Sequence, residues 1–486
     1  MQDWKGTRVI VIGAARQGLS AARYLSRHGA QVVLNDRRPI EELQEARATL
    51  RELPSGWGPI IWVCGAHPFE LLQATDAVCV SGGVPLTLPL VAEAHRRGIP
   101  LTNDSQLFLE AAPCPVVGIT GSAGKTTTTS LVGGIGQAAL AQTDAPPAMP
   151  AGESVFRITG SSRIWVGGNI GSPLLDRVDQ MGAADLAVME LSSFQLELMD
   201  RSPQVAAVLN LTPNHLDRHG SMQAYIQAKA RILEFQSSQG VAVLSRDDPG
   251  AWSLADRVHG KILTFGIQAP SPGQAGTFIK NGHIYLRTES QEQALVALDA
   301  IRLRGEHNLQ NVLAACAIAA AAGLPAQAMR VGVAEFEGVP HRLEFIRTWG
   351  GADWYNDSIA TAPERSMAAI RSFDEPLVLL AGGRDKDLPW EELAELIVRR
   401  VDHLIAFGEA ANKVVAAVQA AQEMTGESAG LTIQYCSSLS QAVTVAAEII
   451  EPGDVVLLSP GGTSFDEFTD FEERGECFAR LVRELP

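Results

Sequence analysis

Residues 118–129 read GITGSAGKTTTT, and this run limits the possible folds more than any other in the chain. The preceding PVVGIT (115–120) has the composition of a short buried strand, and an apolar helix begins near Thr126. Strand, glycine loop and helix in that order imply an α/β sheet. Glycines without Cβ let successive backbone N–H groups face a phosphate, and the helix start adds partial positive charge. Lys125 can neutralise oxygen charge, and the Thr126 hydroxyl can ligate Mg²⁺. The candidate nucleotide-binding set is therefore Gly121, Ser122, Ala123, Gly124, Lys125, Thr126 and Thr127. The strict G-x-x-x-x-G-K-[ST] spacing is not met, because position 119 is Ile and Gly118 lies one residue too far upstream. A plain glycine turn is the alternative.

Composition narrows the class. At 486 residues the chain suits about three domains, and the formal charge of −16 argues against a general nucleic-acid groove. The six cysteines are scattered singly, without a Cys-x-x-Cys pair, and read as reduced core residues. No apolar run approaches the ~18 residues that span a bilayer, so a cytoplasmic chain without membrane insertion is expected.

The first segment, 1–112, has the rhythm of a doubly wound fold: strand 9–12, the turn GAARQG at 13–18, a helix to 28 and a strand to 34 ending at Asn35-Asp36. Further strands are expected at 60–64, 77–81 and 99–102. Ala15 replaces the middle glycine of G-x-G-x-x-G, which weakens a nicotinamide dinucleotide reading. Asp36 remains placed to take ribose hydroxyls, so a nucleotide-carrying substrate stays open beside a purely structural βαβ unit. In the second segment, 113–336, strands at 186–189 and 205–209 end at Glu190 and Asn210, with Thr212, His215 and Asp217 following. Ligands bind at such strand ends, and Glu190 with His215 beside a phosphate loop suggests a Mg²⁺ site. Residues 141–152 are rich in Pro and Ala and read as a mobile surface excursion without a packed role. The third segment, 337–486, again alternates strands and helices. Its polar loops NDSIATAP (356–363), GGRDKD (382–387) and SPGGTSFDEF (459–468) imply a third ligand site.

The ordered motifs GITGSAGKTTT, GGNIG (167–171), ELSSFQLE (190–197), NLTPNHLDRH (210–219), AKARI (228–232), GEHNLQN (305–311), HRLE (341–344) and NDSIAT closely resemble the Mur ligases over nearly the whole chain. The resemblance implies three domains: a Rossmann-like N-terminal domain for a UDP-substrate, a central P-loop ATPase-type α/β domain and a Rossmann-like C-terminal domain for an amino acid. It implies ATP-dependent ligation of D-glutamate to UDP-N-acetylmuramoyl-L-alanine through an acyl phosphate. L-glutamate, or a folylpolyglutamate synthetase-like ligation, is the alternative within the class. A nicotinamide oxidoreductase and a non-catalytic binding protein are the alternatives outside it.

By motif position, Thr126 and Glu190 would hold Mg²⁺, His215 a second ion, and Lys229, as a carbamate, would complete the shell. Asn169 would orient substrate. Asn308, Asn311, Arg342 and Asp357 would contact ATP after domain closure, and Arg16, Gln17, Asp36, Arg37 and Arg38 the UDP moiety. Thr361, Lys386, Ser464 and the backbone near Phe471 would take glutamate. Where many members have N-D-S-K-A-T-N, this chain has Ile359 in place of the lysine, with Arg384 or Arg365 as nearby substitutes. A monomer is expected.

Overall fold

The structure is a computed structural model that describes residues 3–51, 54–150, 154–425 and 430–486, apart from the side chains of Asp217 and Thr425. The chain divides into two compact units. One comprises Met1–Ile301 with Gln310–Glu335, the other Arg302–Leu309 with Phe336–Pro486.

The first unit contains two sheets. In one, β1 (Arg8–Ile12), β2 (Gln31–Asp36), β3 (Ile60–Cys64), β4 (Ala77–Val80) and β5 (Leu101–Thr102) lie parallel in the order β3-β2-β1-β4-β5. Residues 9–12 and 32–36 are buried, as the unbroken apolar runs of strands covered on both faces require. Strand order reverses between β1 and β4, which leaves a crevice at the carboxyl end of β1.

The second sheet is built from β6 (Val116–Thr120), β7 (Ile164–Gly168), β8 (Leu186–Glu190), β9 (Val205–Val208), β10 (Val241–Ser245), β11 (Lys261–Phe265), β12 (Gly276–Lys280), β13 (His283–Arg287) and β14 (Glu292–Ala297), in the order β14-β13-β12-β11-β10-β9-β6-β8-β7. It is parallel from β7 to β12. It then turns antiparallel through the two-residue loop Asn281-Gly282, both with positive φ (50° and 72°), the Asn-Gly hairpin signature. One continuous apolar cluster joins the two sheets' helices, running from Trp4 and Leu25 through Phe108 and Leu174 to Leu196 and Leu244.

In the second unit, β15 (Glu344–Trp349), β16 (Ala352–Asn356), β17 (Leu377–Gly382), β18 (His403–Phe407), β19 (Thr432–Cys436) and β20 (Val455–Gly461) are ordered β15-β16-β20-β17-β18-β19. β15 and β16 are antiparallel and the remainder parallel. The polar loops 356–363, 382–387 and 459–468 leave the carboxyl ends of β16, β17 and β20, which are neighbours.

One expectation requires correction. The segment 141–152 is not free of packing: Ala148 and Met149 are buried, and the Ala148 carbonyl accepts from Gln293 Nε2 at 2.7 Å. Its last two residues lie outside the described residues. Gly118 lies within β6, as the apolar run 115–120 implied. A Cβ there would meet Pro203 Cγ at 2.4 Å, so close packing, not phosphate, fixes its identity. Among the described residues no helix is long and apolar enough to cross a membrane.

Candidate active site

The phosphate loop leaves β6 between β8 and β9, and helix Lys125–Leu140 begins directly after Gly124. Gly124 has φ 80°, and a Cβ on it would lie 2.2 Å from Asn311 Oδ1. Glycine is therefore required twice over, by conformation and by space. Neighbouring strand ends hold the loop's shape. Asn210, after β9, accepts from Ser122 N on its carbonyl (2.9 Å) and from Ala123 N on its side chain (2.8 Å). Ser122 Oγ donates to the Thr212 carbonyl and lies 2.9 Å from Tyr225 OH. Lys125 Nζ lies back across the loop, donating to the carbonyls of Gly121 (2.9 Å) and Ser122 (3.3 Å).

Glu190 ends β8 beside this loop and is 2% exposed. Its Oε2 accepts from Thr126 Oγ1 and its Oε1 from Asn169 Nδ2, both at 2.9 Å. A buried carboxylate and a threonine hydroxyl at a glycine loop form a hard oxygen set, which suits Mg²⁺ with the remaining positions filled by phosphate and water. Among the described residues no three His, Cys, Asp or Glu side chains converge as a metal cage, and Mg²⁺ sites serving phosphates rarely need one. Lys229, on helix Met222–Glu234, brings its Nζ to Thr120 Oγ1 (3.1 Å) and the Gly121 carbonyl (2.9 Å) while 1% exposed. Burial, and then the neighbouring charge of Lys125, push its pKa well below the lysine range, although Glu190 opposes this.

His215 follows β9 with φ 52° and is exposed, its ring edge against Phe194 at 5.2 Å. Phe194 is held by two neighbours. The Arg218 guanidinium lies 3.8 Å from its centroid, and the His219 ring stacks at 5.1 Å with planes 5° apart. Sequence reasoning passed over Phe194, His219 and Tyr225, because single aromatics within a loop and a helix carry no spacing signal.

A cavity of about 610 Å³ opens at the carboxyl end of β1, and all five residues expected for the UDP moiety line it: Arg16, Gln17, Asp36, Arg37 and Arg38. Asn169, from the end of β7, lines it as well, and its carbonyl accepts from Arg16 at 3.4 Å. Asp36 accepts from Ala14 N at 2.7 Å and pairs with Arg38 through Nε and NH2 at 3.0 and 2.9 Å. Burial works against its ionisation, but the hydrogen bonds from Arg38 and Ala14 win and bring its pKa down to about 2. His67, Ser81 and the 83–88 turn complete the wall and were not expected. A second cavity, near Cys114, Asp200 and Phe235, lies at the amino ends of β6 and β9. That is the end of a parallel sheet opposite to where ligands bind.

The second unit assembles its own set. Asp357, after β16, is 5% exposed, and its oxygens accept from Ser459 Oγ (2.9 Å) and Leu343 N (3.2 Å). Burial pushes its pKa up to about 7 against these bonds and the charge of Arg342. Asn308 falls in this unit, its Nδ2 donating to the Arg304 carbonyl at 2.8 Å, whereas Asn311 falls in the other. A bridge between Arg384 and Thr463 ties the Lys386 loop to the Ser464 loop. Lys386 is exposed and Ser464 is buried. The Phe471 carbonyl accepts from Ser358 Oγ at 2.8 Å, and the Thr361 amide donates to the Ile359 carbonyl. Fully buried Arg474, also unforeseen, donates to Ser358 and to the Gly462 carbonyl, fastening both loops. Of the two cations suggested for the lysine missing at Ile359, Arg384 is engaged with both oxygens of Glu409 (2.8 and 2.9 Å), whereas Arg365 NH1 donates to the Ile359 carbonyl itself.

Comparison with known proteins agrees with this geometry. Family models match in order: the Mur ligase MurD-like N-terminal domain at residues 7–103, the Mur ligase middle domain at 119–319 and the Mur ligase glutamate ligase domain at 341–462. The UDP-N-acetylmuramoylalanine–D-glutamate ligase of Symbiobacterium thermophilum is 38% identical over 478 residues, 98% of each chain. That of Koribacter versatilis is 35% identical, over 99% of this chain and 98% of its own. The crystal structure of MurF from Acinetobacter baumannii, at 18% identity, shares the fold with a TM-score of 0.57 across 98% of this chain and 93% of that one. With near-complete coverage at such identity, and with the phosphate loop and strand-end residues in place, the chain belongs to the Mur ligase family.

Proposed function

We propose that the chain is an ATP-dependent ligase that joins D-glutamate to UDP-N-acetylmuramoyl-L-alanine, releasing ADP and phosphate. The observation that carries this reading is Asn169. This one residue lines the cavity with Arg16 and Asp36, and its side chain hydrogen-bonds Glu190 at the phosphate loop, so a uridine-nucleotide substrate and a triphosphate would meet at it. The printed names of the relatives supply the substrates.

ATP, when bound, supplies the phosphoryl group that would activate the substrate carboxylate as an acyl phosphate, from whose acyl carbon the incoming amino group would displace inorganic phosphate to form the amide. The chain's own residues supply position and charge rather than covalent chemistry. Lys125 would exchange the loop carbonyls for phosphate oxygens. Thr126 and Glu190 would hold Mg²⁺ and His215 a second ion, while Arg342, Asp357, Asn308 and Asn311 would contact the nucleotide. Thr361, Lys386, Ser464 and the Phe471 backbone would receive glutamate, with Arg365 standing in for the charge that Ile359 lacks.

Lys229 has the chemistry to become a carbamate. An amine kept neutral by burial can add to CO₂, giving N–COO⁻ and a proton, and the resulting carboxylate suits a Mg²⁺ shell. Mass spectrometry of native protein in bicarbonate should show the added mass, and an unmodified lysine at full activity excludes it. The ligase reading is tested by phosphate release with UDP-N-acetylmuramoyl-L-alanine and a panel of amino acids. Release should require both substrates, and chiral analysis of the product should find D-glutamate. Lys386→Ala should raise the glutamate KM far more than the ATP KM, and Ile359→Lys should be tolerated. Phosphate release that does not depend on the amino acid, or a dominant L product, overturns the assignment.

A further inference from the structure

His219 is unusual among the chain's histidines. Its side chain is 1% exposed, its Nδ1 lies 2.9 Å from Glu197 Oε1, and its Nε2 lies 2.9 Å from Ser193 Oγ. An ionised carboxylate only accepts, so Nδ1 carries the proton to Glu197, and in the neutral ring Nε2 then accepts the Ser193 hydroxyl proton. Glu197, His219 and Ser193 thus form one directed chain of hydrogen bonds. Ser193 is 2% exposed, so the chain meets no solvent-borne substrate and its role must be to hold geometry.

What it holds follows from the neighbours. The His219 ring is the floor on which Phe194 stacks, and Phe194 also packs against Arg218, whose guanidinium reaches the Gly82 and Val84 carbonyls at 3.4 and 3.3 Å. The edge of the clamped Phe194 meets the His215 ring. On its other side His219 meets Tyr225 edge-on at 5.2 Å, and Tyr225 OH reaches Ser122 Oγ of the phosphate loop. His215 itself sits in the left-handed region at φ 52°, which is strained for a residue with a Cβ and persists only where the surroundings over-determine it.

We propose that His219 is a positioning residue for His215, fixing its imidazole relative to the phosphate loop through the Phe194 clamp. This rests on the reading that His215 serves the magnesium-nucleotide site. The decisive measurement is imidazole ¹H–¹⁵N NMR of the full chain, titrated with Mg²⁺ in the presence of a non-hydrolysable ATP analogue. In the wild type, His219 should appear as the neutral Nδ1–H tautomer, and the His215 nitrogens should shift as Mg²⁺ is added. His219→Leu should raise the Mg²⁺ midpoint of the His215 shift about tenfold or more, the usual effect of removing an outer hydrogen-bond partner, and kcat should fall in parallel with the UDP-substrate KM unchanged. His219→Gln, which can donate to Glu197 and accept from Ser193 but offers Phe194 no ring to stack on, should recover part of the loss. A midpoint in His219→Leu within about twofold of the wild type, or equal losses in the Leu and Gln variants, overturns the proposal. Should His219→Leu fail to fold, Glu197→Ala carries the same expectation and the same refutation. Failure of the ligase reading looks different: the wild type itself then makes no product, and its His215 signal ignores Mg²⁺-nucleotide.

Discussion

The first unit uses one scaffold twice. After β1 and after β6, a parallel strand runs through a glycine turn into a helix, and both turns lie where strand order reverses. Their charges differ in kind. At the β1 turn an acid is already on the backbone: Asp36 accepts from Ala14 N, and three arginines stand at the cavity wall. At the β6 turn the strand-end acid, Glu190, is engaged by Thr126 and Asn169, and the two groups laid over the loop are lysines, Lys125 and Lys229. The same backbone can therefore seat different anions. A turn whose amide is taken by a carboxylate leaves recognition to side chains at the rim, whereas a turn crossed by the Lys125 side chain is poised for phosphate.

The sharpest way to break this comparison is Lys125→Ala. Product formation should fall on the order of a thousandfold, as when a preorganised charge contact to a reacting anion is removed, with the melting temperature nearly unchanged. A modest loss would mean that the β6 turn is not the phosphate site. Next in size, Arg38→Ala should raise the KM for the UDP-substrate roughly ten- to hundredfold by removing one charge-assisted contact while sparing the ATP KM. An equal rise in both would erase the distinction between the turns.

Both turns should gain stability as pH rises, because both groups have pKa values lowered on folding, but over different pH ranges. Asp36 has a folded pKa of about 2, below the ordinary aspartate value near 4. The stability it contributes is present above that ordinary value and disappears as pH falls through the folded one. The melting-temperature deficit of Asp36→Asn should therefore shrink between pH 5 and pH 2. Lys229 has its folded pKa lowered, so the wild type bears the cost of a buried charge at low pH and sheds it as pH rises toward the unfolded lysine value. In CO₂-free buffer Lys229→Met should melt higher than the wild type at pH 7, by a margin that closes toward pH 10. Calorimetry across both ranges tests the pair. The smallest effect is expected at Gly134, where a Cβ would meet nothing within 4 Å: Gly134→Ala should gain about 1 kcal/mol of helix propensity. The matching change after β1, Gly18→Ala, should destabilise, because its Cβ would lie 1.8 Å from the Gly13 carbonyl oxygen.

What the sequence disclosed follows the same division. Strand cores such as 9–12, 186–189 and 377–381 were legible because strands buried on both faces are written as apolar runs, and the glycine loops because their spacing has few other uses. The residues expected to line the cavity after β1 do converge there. The β12–β14 extension was missed although Asn281-Gly282 advertises a hairpin, since polar ends such as Lys280 and His283 blur the alternation. Phe194, His219 and Arg474 were invisible for a different reason: each matters through contacts with segments distant in sequence, which no local pattern encodes. The excursion at 141–152 was misjudged because Pro-Ala composition describes its backbone but not the pocket that Ala148 and Met149 fill.

The contact between Gly124 and Asn311 Oδ1 carries a lesson for how this protein can change over generations. The loop position has no room for even one methyl group unless the distant asparagine also changes, and that asparagine is tied to Thr128 Oγ1 at 3.4 Å. Gly124 cannot drift alone, so a single-step mutational scan should record it as intolerant, and only a library varying 124, 128 and 311 together could reveal whether any other combination works.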